Sequence, residues 1–409
     1  MEFCRMTGRV MNRTAIIALI FTTAVILYLL NTHSTGYFSS TTEIETGTRS
    51  STTDMLRSFL TGNINNDTTV TSLNNILHDV HNETLGFQEI YVINLPERSD
   101  KKDSMSVQAT LTNLSLTFTE GVLGTTVPEK ARPFGFEHRL PAEVGCWRSH
   151  MNIMQHMVRR RVRSALIFED DADWDVAIKF QMSQVAQGSR WLLNNTEETS
   201  SHSPYGDGWD VLWIGHCAIK DDPTDKRRWV IPKDLTVPPP GQRSLTVQHE
   251  PNMTTWESGP DADTQTRILF TPSFGYCSAA WAISLAGAEK IIHRQSMSPF
   301  TEAVDNGVSS MCSSRSSELR CIAPFPAIVG VSRAAGSTDR DTDIQTNKKN
   351  NPTTRKTSKS VRVTFSTRQN IQRLIAGETT FQSLYPNITG DLRSLEDIGS
   401  AVGHGELLE

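Results

Sequence analysis

The segment that most constrains this chain is Ser164-Ala-Leu-Ile-Phe-Glu-Asp-Asp-Ala-Asp-Trp174. A short apolar run, residues 165–168, reads as a buried strand, and it stops at four acids within five residues: Glu169, Asp170, Asp171 and Asp173. Carboxylates this close repel one another unless positive charge lies among them. A divalent cation answers that need, because hard cations take oxygen ligands. In open α/β sheets ligands bind at the carboxyl ends of strands, which is where this cluster falls. Alternation along a strand places Glu169 and Asp171 on one side, facing an ion together, with Asp170 turned elsewhere. The competing reading is a solvated acidic turn, and Asp173 in particular reads as a solvated side chain.

The surrounding pattern alternates strand and helix. Residues 89–95 and 116–120 read as strands, with a Lys-rich helix start between them. In residues 141–157, Val144, Trp147, Met151, Met154 and Met157 recur at helical spacing. Residues 209–215 and 279–284 are further strands, and a helix capped by Ser284 follows over 285–293. The prolines of Cys321-Ile-Ala-Pro-Phe-Pro326 keep that segment extended. Such alternation predicts an α/β protein with an open, mostly parallel sheet flanked by helices. Residues 187–208 and 220–267 are long, polar and turn-rich, and read as insertions.

The expected organisation has five parts. Residues 14–30 are an uncharged apolar run preceded by Arg5, Arg9 and Arg13. That length is near the lower limit for a membrane-spanning helix, and the basic flank assigns residues 1–13 to the cytosol. A cleaved signal peptide is the rival reading. Residues 31–85, rich in Ser, Thr and Asn, read as a stem. A globular domain over 86–345 follows, and then a polar, largely disordered tail over 346–409 with one short helix near 369–375. This is the plan of a single-pass type II protein, with its globular domain in the lumen of the Golgi or endoplasmic reticulum. Six Asn-x-Ser/Thr triplets after the apolar run agree with that compartment. Five cysteines follow it, an odd number, so at least one stays unpaired within the chain; Cys312 and Cys321 are the easiest pair, although connectivity is open. A net charge of −5 implies no nucleic-acid partner.

Four pieces, read in order, resemble glycosyltransferase family 25. They are Tyr91-Val-Ile-Asn-Leu-Pro-Glu-Arg-Ser-Asp100; Pro141-Ala-Glu-Val-Gly-Cys-Trp-Arg-Ser-His150; Ala165-Leu-Ile-Phe-Glu-Asp-Asp171; and Asp210-Val-Leu-Trp-Ile-Gly215 with Ala280-Trp-Ala-Ile-Ser284 and Lys290. The resemblance implies a nucleotide-diphospho-sugar transferase (GT-A-like) fold. It also implies Mn²⁺ or another divalent cation at Glu169 and Asp171, a UDP-sugar donor, most commonly UDP-galactose, and inversion at the anomeric carbon. The acceptor would be a glycan or a protein hydroxyl. A cation at these acids would neutralise the leaving diphosphate, and Asp170 would face the sugar hydroxyls.

An inverting transfer needs a proton acceptor. Asp305 falls where the family carries a late functional acid, with helix capping as its alternative role. The donor-site expectation covers Asn94, Arg98, Glu143, His150 and Gly215. Gly145 and Cys146 read as helix-packing positions, and most tryptophans as core. A transferase-like module that has lost catalysis and serves binding or adhesion is the alternative function. No Gly-x-Ser-x-Gly elbow or zinc-ligand His pair supports hydrolase chemistry.

Overall fold

A computed structural model describes residues 76–195, 201–313, 316, 318–343 and 352–409. The expected anchor and most of the stem lie outside the described residues. Among the described residues no helix is long and apolar enough to cross a membrane.

The strands run in chain order as β1 (Glu89–Asn94), β2 (Thr117–Glu120), β3 (Ser164–Glu169), β4 (Ala172–Trp174), β5 (Val211–Gly215), β6 (Ala218–Asp221), β7 (Arg227–Ile231), β8 (Arg267–Phe270), β9 (Pro272–Tyr276), β10 (Ala280–Ser284), β11 (Cys321–Phe325) and β12 (Val329–Arg333). After them come β13 (Gly336–Ser337), β14 (Thr354–Arg355), β15 (Lys359–Val361), β16 (Thr380–Gln382), β17 (Leu392–Ser394) and β18 (His404–Leu407). The longer helices are α1 (Ser99–Leu111), α2 (Pro141–Arg160), α3 (Ile178–Leu192), α4 (Leu285–Ile292) and α5 (Val304–Cys312).

Nine strands form one sheet in the order β18-β7-β8-β11-β5-β10-β3-β1-β2. Its pairings correct the mostly parallel expectation. β1–β2, β1–β3 and β5–β11 are parallel, while β3–β10, β10–β5, β11–β8, β8–β7 and β7–β18 are antiparallel. Period-two alternation marks a strand but not its direction, and β10 enters reversed between β3 and β5. Even so, β1, β2, β3, β5 and β11 all point the same way, so their carboxyl ends share one edge.

The alternation is visible in the core. Tyr91, Ala165, Ile167, Trp213, Trp281 and Ile283 face one side of the sheet with Trp147, Met151 and Met154 of α2. Ile90, Val92, Leu166, Phe168, Leu212 and Ile214 face the other with Met105 of α1 and Met182 and Val185 of α3. Both sheet faces are therefore dry, and each motif strand is apolar throughout. Trp147, Trp174, Trp209, Trp213 and Trp281 are all buried, as core tryptophans should be.

The two ends of the globular region differ from expectation. Val80 and Leu85, placed in the stem, are fully buried. The segment 352–409 is folded and is not a disordered tail. β15 pairs with β12, which pairs with β4. Phe365, Phe381, Leu395 and Ile398 build a third apolar cluster with Val176 and Ala177. β18 closes the edge of the main sheet against β7. The second polar insertion thus supplies a sheet strand. The short helix expected near 369–375 is present as Ile371–Ile375. Cys312 pairs with Cys321 and Cys217 with Cys277, leaving Cys146 as a free thiol.

Candidate functional site

A cavity of about 300 Å³ opens at the shared carboxyl edge of β1, β2 and β3. One wall is apolar: Ile93 at the end of β1 and Leu95 just after it, Val122 and Leu123 after β2, and Leu140 and Pro141 at the start of α2. The other wall is charged: Lys101, Glu169, Asp170, Asp171 and Asp343. His150 and Cys146 of α2 complete the floor.

The helix reaches the cavity because two glycines let it approach. A Cβ on Gly145 would collide with the Val122 carbonyl oxygen, and one on Gly124 with that of Pro141. Ser149 locks this contact: its hydroxyl donates to the Gly145 carbonyl at 2.7 Å and accepts from the Val122 N–H at 2.8 Å. The helix-packing reading of Gly145 therefore holds.

The acid cluster does not follow strand alternation. β3 ends at Glu169 and the chain turns through Asp170 and Asp171 into β4. All three carboxylates consequently line the same cavity. Lys101 Nζ lies 2.8 Å from Asp170 Oδ1, and Asn94 Nδ2 donates to Asp170 Oδ2 at 2.9 Å. Arg333 Nη1 donates to Asp171 Oδ2 at 2.6 Å. The Ser278 hydroxyl donates to Glu169 Oε1 at 2.6 Å. His150 Nε2 stands 3.6 Å from that oxygen, an ion-pair distance and too long for a hydrogen bond. Burial pushes the Glu169 carboxyl up, but His150, Ser278 and Lys101 outweigh it and hold the group below its ordinary value. Burial likewise works against the Lys101 ammonium, and Asp170, Asp171 and Asp343 more than compensate, keeping it charged.

The donor set fits a hard divalent cation. Glu169 and Asp171 each have one oxygen held by a protein donor, and the other oxygen of each meets no donor among the described residues. Two carboxylates with free oxygens on one wall are what a Mg²⁺- or Mn²⁺-type ion takes from a protein, the remaining ligands coming from substrate and water.

The remaining expected residues divide. His150 lines the cavity. Asn94 does not; it spends its amide on Asp170 and on the Arg98 carbonyl, at 2.9 and 3.1 Å. Arg98 is likewise committed. It grips both oxygens of Asp343 at 2.6 Å and pairs with Asp100 at 3.0 Å, which pins residues 340–343 over the site. Glu143 is a correction: its carboxylate accepts the Leu140 N–H at 3.0 Å and pairs with Arg139, which is a helix-capping role. Gly215 is another, since the backbone that comes close to it is Ala280 of β10 and not a ligand.

Asp305, in the first turn of α5, accepts the Cys277 N–H at 2.7 Å. Cys277 precedes Ser278, so Asp305 reaches Glu169 through adjacent residues. Burial, reinforced by Glu169, pushes its carboxyl up against the pull of backbone N–H groups. Asp173 is not solvated; it is fully buried. Its Oδ2 accepts the Ser366 hydroxyl at 2.6 Å. Cys146 is a neutral thiol, raised well above its ordinary value by burial and by Glu169, Asp305 and Glu143.

Sequence reasoning missed Asp343, Arg333, Arg368 and Ser278. Arg368 donates to the backbone carbonyls of Asp170 and Ala172 at 3.2 and 2.9 Å and so holds the acid turn itself. Asp343 belongs to an acidic stretch with Asp339 and Asp341, but nothing local in the sequence ties it to Arg98.

The fold is α/β, and residues 87–200, which include the acid turn and the helix beside it, match the family described as Glycosyltransferase family 25 (LPS biosynthesis protein). The chain is similar to Procollagen galactosyltransferase 1 of Danio rerio, 23% identical over 284 residues that cover 66% of this chain and 39% of that protein. It is 22% identical over 228 residues to Procollagen galactosyltransferase 1-A of Xenopus laevis, covering 52% and 29%. It is 24% identical over 226 residues to the Bos taurus protein named Probable inactive glycosyltransferase 25 family member 3, again covering 52% and 29%. The match thus spans well under half the length of these relatives.

Proposed function

We propose that the cavity is the donor site of a metal-dependent glycosyltransferase. It would transfer a hexose, galactose from UDP-galactose foremost, to a glycan or protein hydroxyl with inversion. The observation that carries this reading is the convergence of Glu169, Asp170 and Asp171 on one cavity at the carboxyl edge of β1 and β3. The names of the procollagen galactosyltransferase relatives support galactose as the sugar.

Glu169 and Asp171 would hold Mn²⁺ or another divalent cation through their free oxygens. When bound, that ion would offset the charge gathering on the departing diphosphate. The chain does the rest. Lys101 and Asn94 fix Asp170, leaving its carboxylate at the wall where it can accept from sugar hydroxyls. Arg333 fixes Asp171. Asp305 is the candidate acceptor of the proton leaving the attacking hydroxyl on the family resemblance alone, since it lies outside the cavity lining and its carboxylate accepts the Cys277 N–H. The apolar wall of Val122, Leu123 and Leu140 keeps water from the reacting centre.

The two disulfides support an oxidising compartment. They agree with a type II protein anchored through residues 14–30, its catalytic domain in the lumen of the Golgi or endoplasmic reticulum.

The test is donor turnover by the full chain against a panel of UDP- and GDP-sugars, with and without Mn²⁺, alongside Asp171→Asn. Mn²⁺-dependent UDP release from UDP-galactose, lost in the variant, is the expected result. Folded protein that neither binds nor cleaves any donor would instead indicate a non-catalytic binding module.

A further inference from the structure

The cavity floor holds a second set of donor atoms, Glu169 with two side chains that the transfer reaction leaves unused. Cys146 and His150 lie one turn apart on α2 and present the same helix face. Cys146 Sγ, a His150 ring nitrogen and a Glu169 carboxylate oxygen all lie within 4.8 Å of one another. His150 is 0% exposed, and neither of its ring nitrogens has a hydrogen-bond partner. A buried imidazole with both nitrogens unpartnered is an exception that calls for an explanation, and a bound ion is one. Cys146 is also the free thiol among the described residues, the other four cysteines being paired.

We propose that Cys146, His150 and Glu169 form a separate site for a zinc-class cation. Because it shares Glu169 with the catalytic ion, an occupied site would inhibit transfer. The inhibitory consequence rests on the transferase reading; the site itself does not.

Thiolate, imidazole and carboxylate are the ligands of zinc and cobalt, whereas the Glu169–Asp171 pair offers oxygen alone. The two sites therefore sort cations by softness. Three protein ligands would leave a fourth position open toward the cavity, available to water. Tetrahedral bonds of this type set ligand atoms roughly 3.3–3.8 Å apart, so the donor atoms need to draw in by about 1 Å. Binding exchanges the thiol proton for the metal: the S–H bond breaks, an S–Zn bond forms, and the proton leaves to solvent. No oxidant or reductant is involved.

The experiment titrates the reduced full chain with Co²⁺ and records the thiolate-to-cobalt charge-transfer absorption. One equivalent of that band, displaced by Zn²⁺ and absent in Cys146→Ser, is expected, together with at least a tenfold weaker affinity in His150→Gln. In the second arm Zn²⁺ is added at fixed Mn²⁺. It should suppress donor turnover in the parent at concentrations at least tenfold lower than in Cys146→Ser. Absence of the band in folded parent, or its persistence in folded Cys146→Ser, overturns the site. If Cys146→Ser does not fold, protection of the parent thiol from iodoacetamide by one equivalent of Zn²⁺ decides instead, and lack of protection overturns the site. A Co²⁺ band without turnover under any condition would keep the site and reject the transferase reading. Zinc binding with undiminished Mn²⁺-dependent turnover would reject the sharing of Glu169.

Discussion

Two acid groups sit within seven residues of each other on either side of one turn, and they serve opposite ends. Glu169, Asp170 and Asp171 line an open cavity. Asp173 and Asp175, just beyond them, are buried beneath the C-terminal segment. Asp173 accepts from Ser366 and from Gln108 at 2.6 and 3.3 Å, and Asp175 accepts the backbone N–H groups of Thr364 and Phe365. Glu169 and Asp171 each keep a free oxygen toward the cavity, whereas both oxygens of Asp173 and of Asp175 are taken. Which role an acid adopts is decided by what packs over it.

The largest effect should come from emptying the buried group. Asp173→Ala removes from a dry site the carboxylate that accepts from the Ser366 hydroxyl and the Gln108 amide and faces the buried Arg368, and a loss of about 3–5 kcal/mol in urea unfolding is expected. Arg368→Ala crosses the comparison, because Arg368 bonds the backbone of the open group and the Gln108 that serves the buried one. It should lower both stability and turnover, whereas Asp173→Ala should lower stability first.

Next come Glu169→Gln and Asp171→Asn in the open group. Each should cut donor turnover on the order of 10²–10³-fold, while the melting temperature moves by only a few degrees. A large loss of stability in either would erase the distinction between the groups.

A pH measurement sharpens the comparison. Burial pushes Asp175 up to about 7. In the unfolded chain an aspartate titrates near 3.9. Between those values the folded protein holds a proton that the unfolded chain has released, so this group's contribution falls as pH rises from about 4 to about 7 and is level above. Asp175→Asn removes that slope. Its melting temperature relative to the parent should climb across the same window, and a constant offset would refute the assignment. The smallest effect is predicted for Glu143→Ala, which removes a helix cap worth about 1 kcal/mol and should leave donor KM unchanged.

What could be read from the sequence follows the same division. β1, β3, β5 and α2 were legible because each carries its own periodicity, and the acids were legible because they interrupt an apolar strand. The partners of those acids were not. Arg333, Asp343 and Arg368 lie more than 160 residues from the groups they hold, for example 162 from Arg333 to Asp171. Arg368 sits in the stretch that reads as polar tail, and Arg333 and Asp343 near the end of the expected globular domain. Segment 352–409 hides its packing because its buried side chains are largely polar: Thr364, Ser366, Thr367 and Asn370 are all 0% exposed. Hydropathy cannot register a core satisfied by hydrogen bonds. Strand direction was also out of reach, which is why β10 appeared parallel.

The clasp of Ser366 and Arg368 on the acid turn has a consequence for how this protein is made. The acid strand leaves the ribosome some 190 residues before the side chains that lock it, 193 of them between Asp173 and Ser366. Contacts of such long sequence range form late in folding. The turn therefore acquires its folded shape only after residues 366–368 have been made. Until then, a growing chain carries these acids without the partners that arrange them.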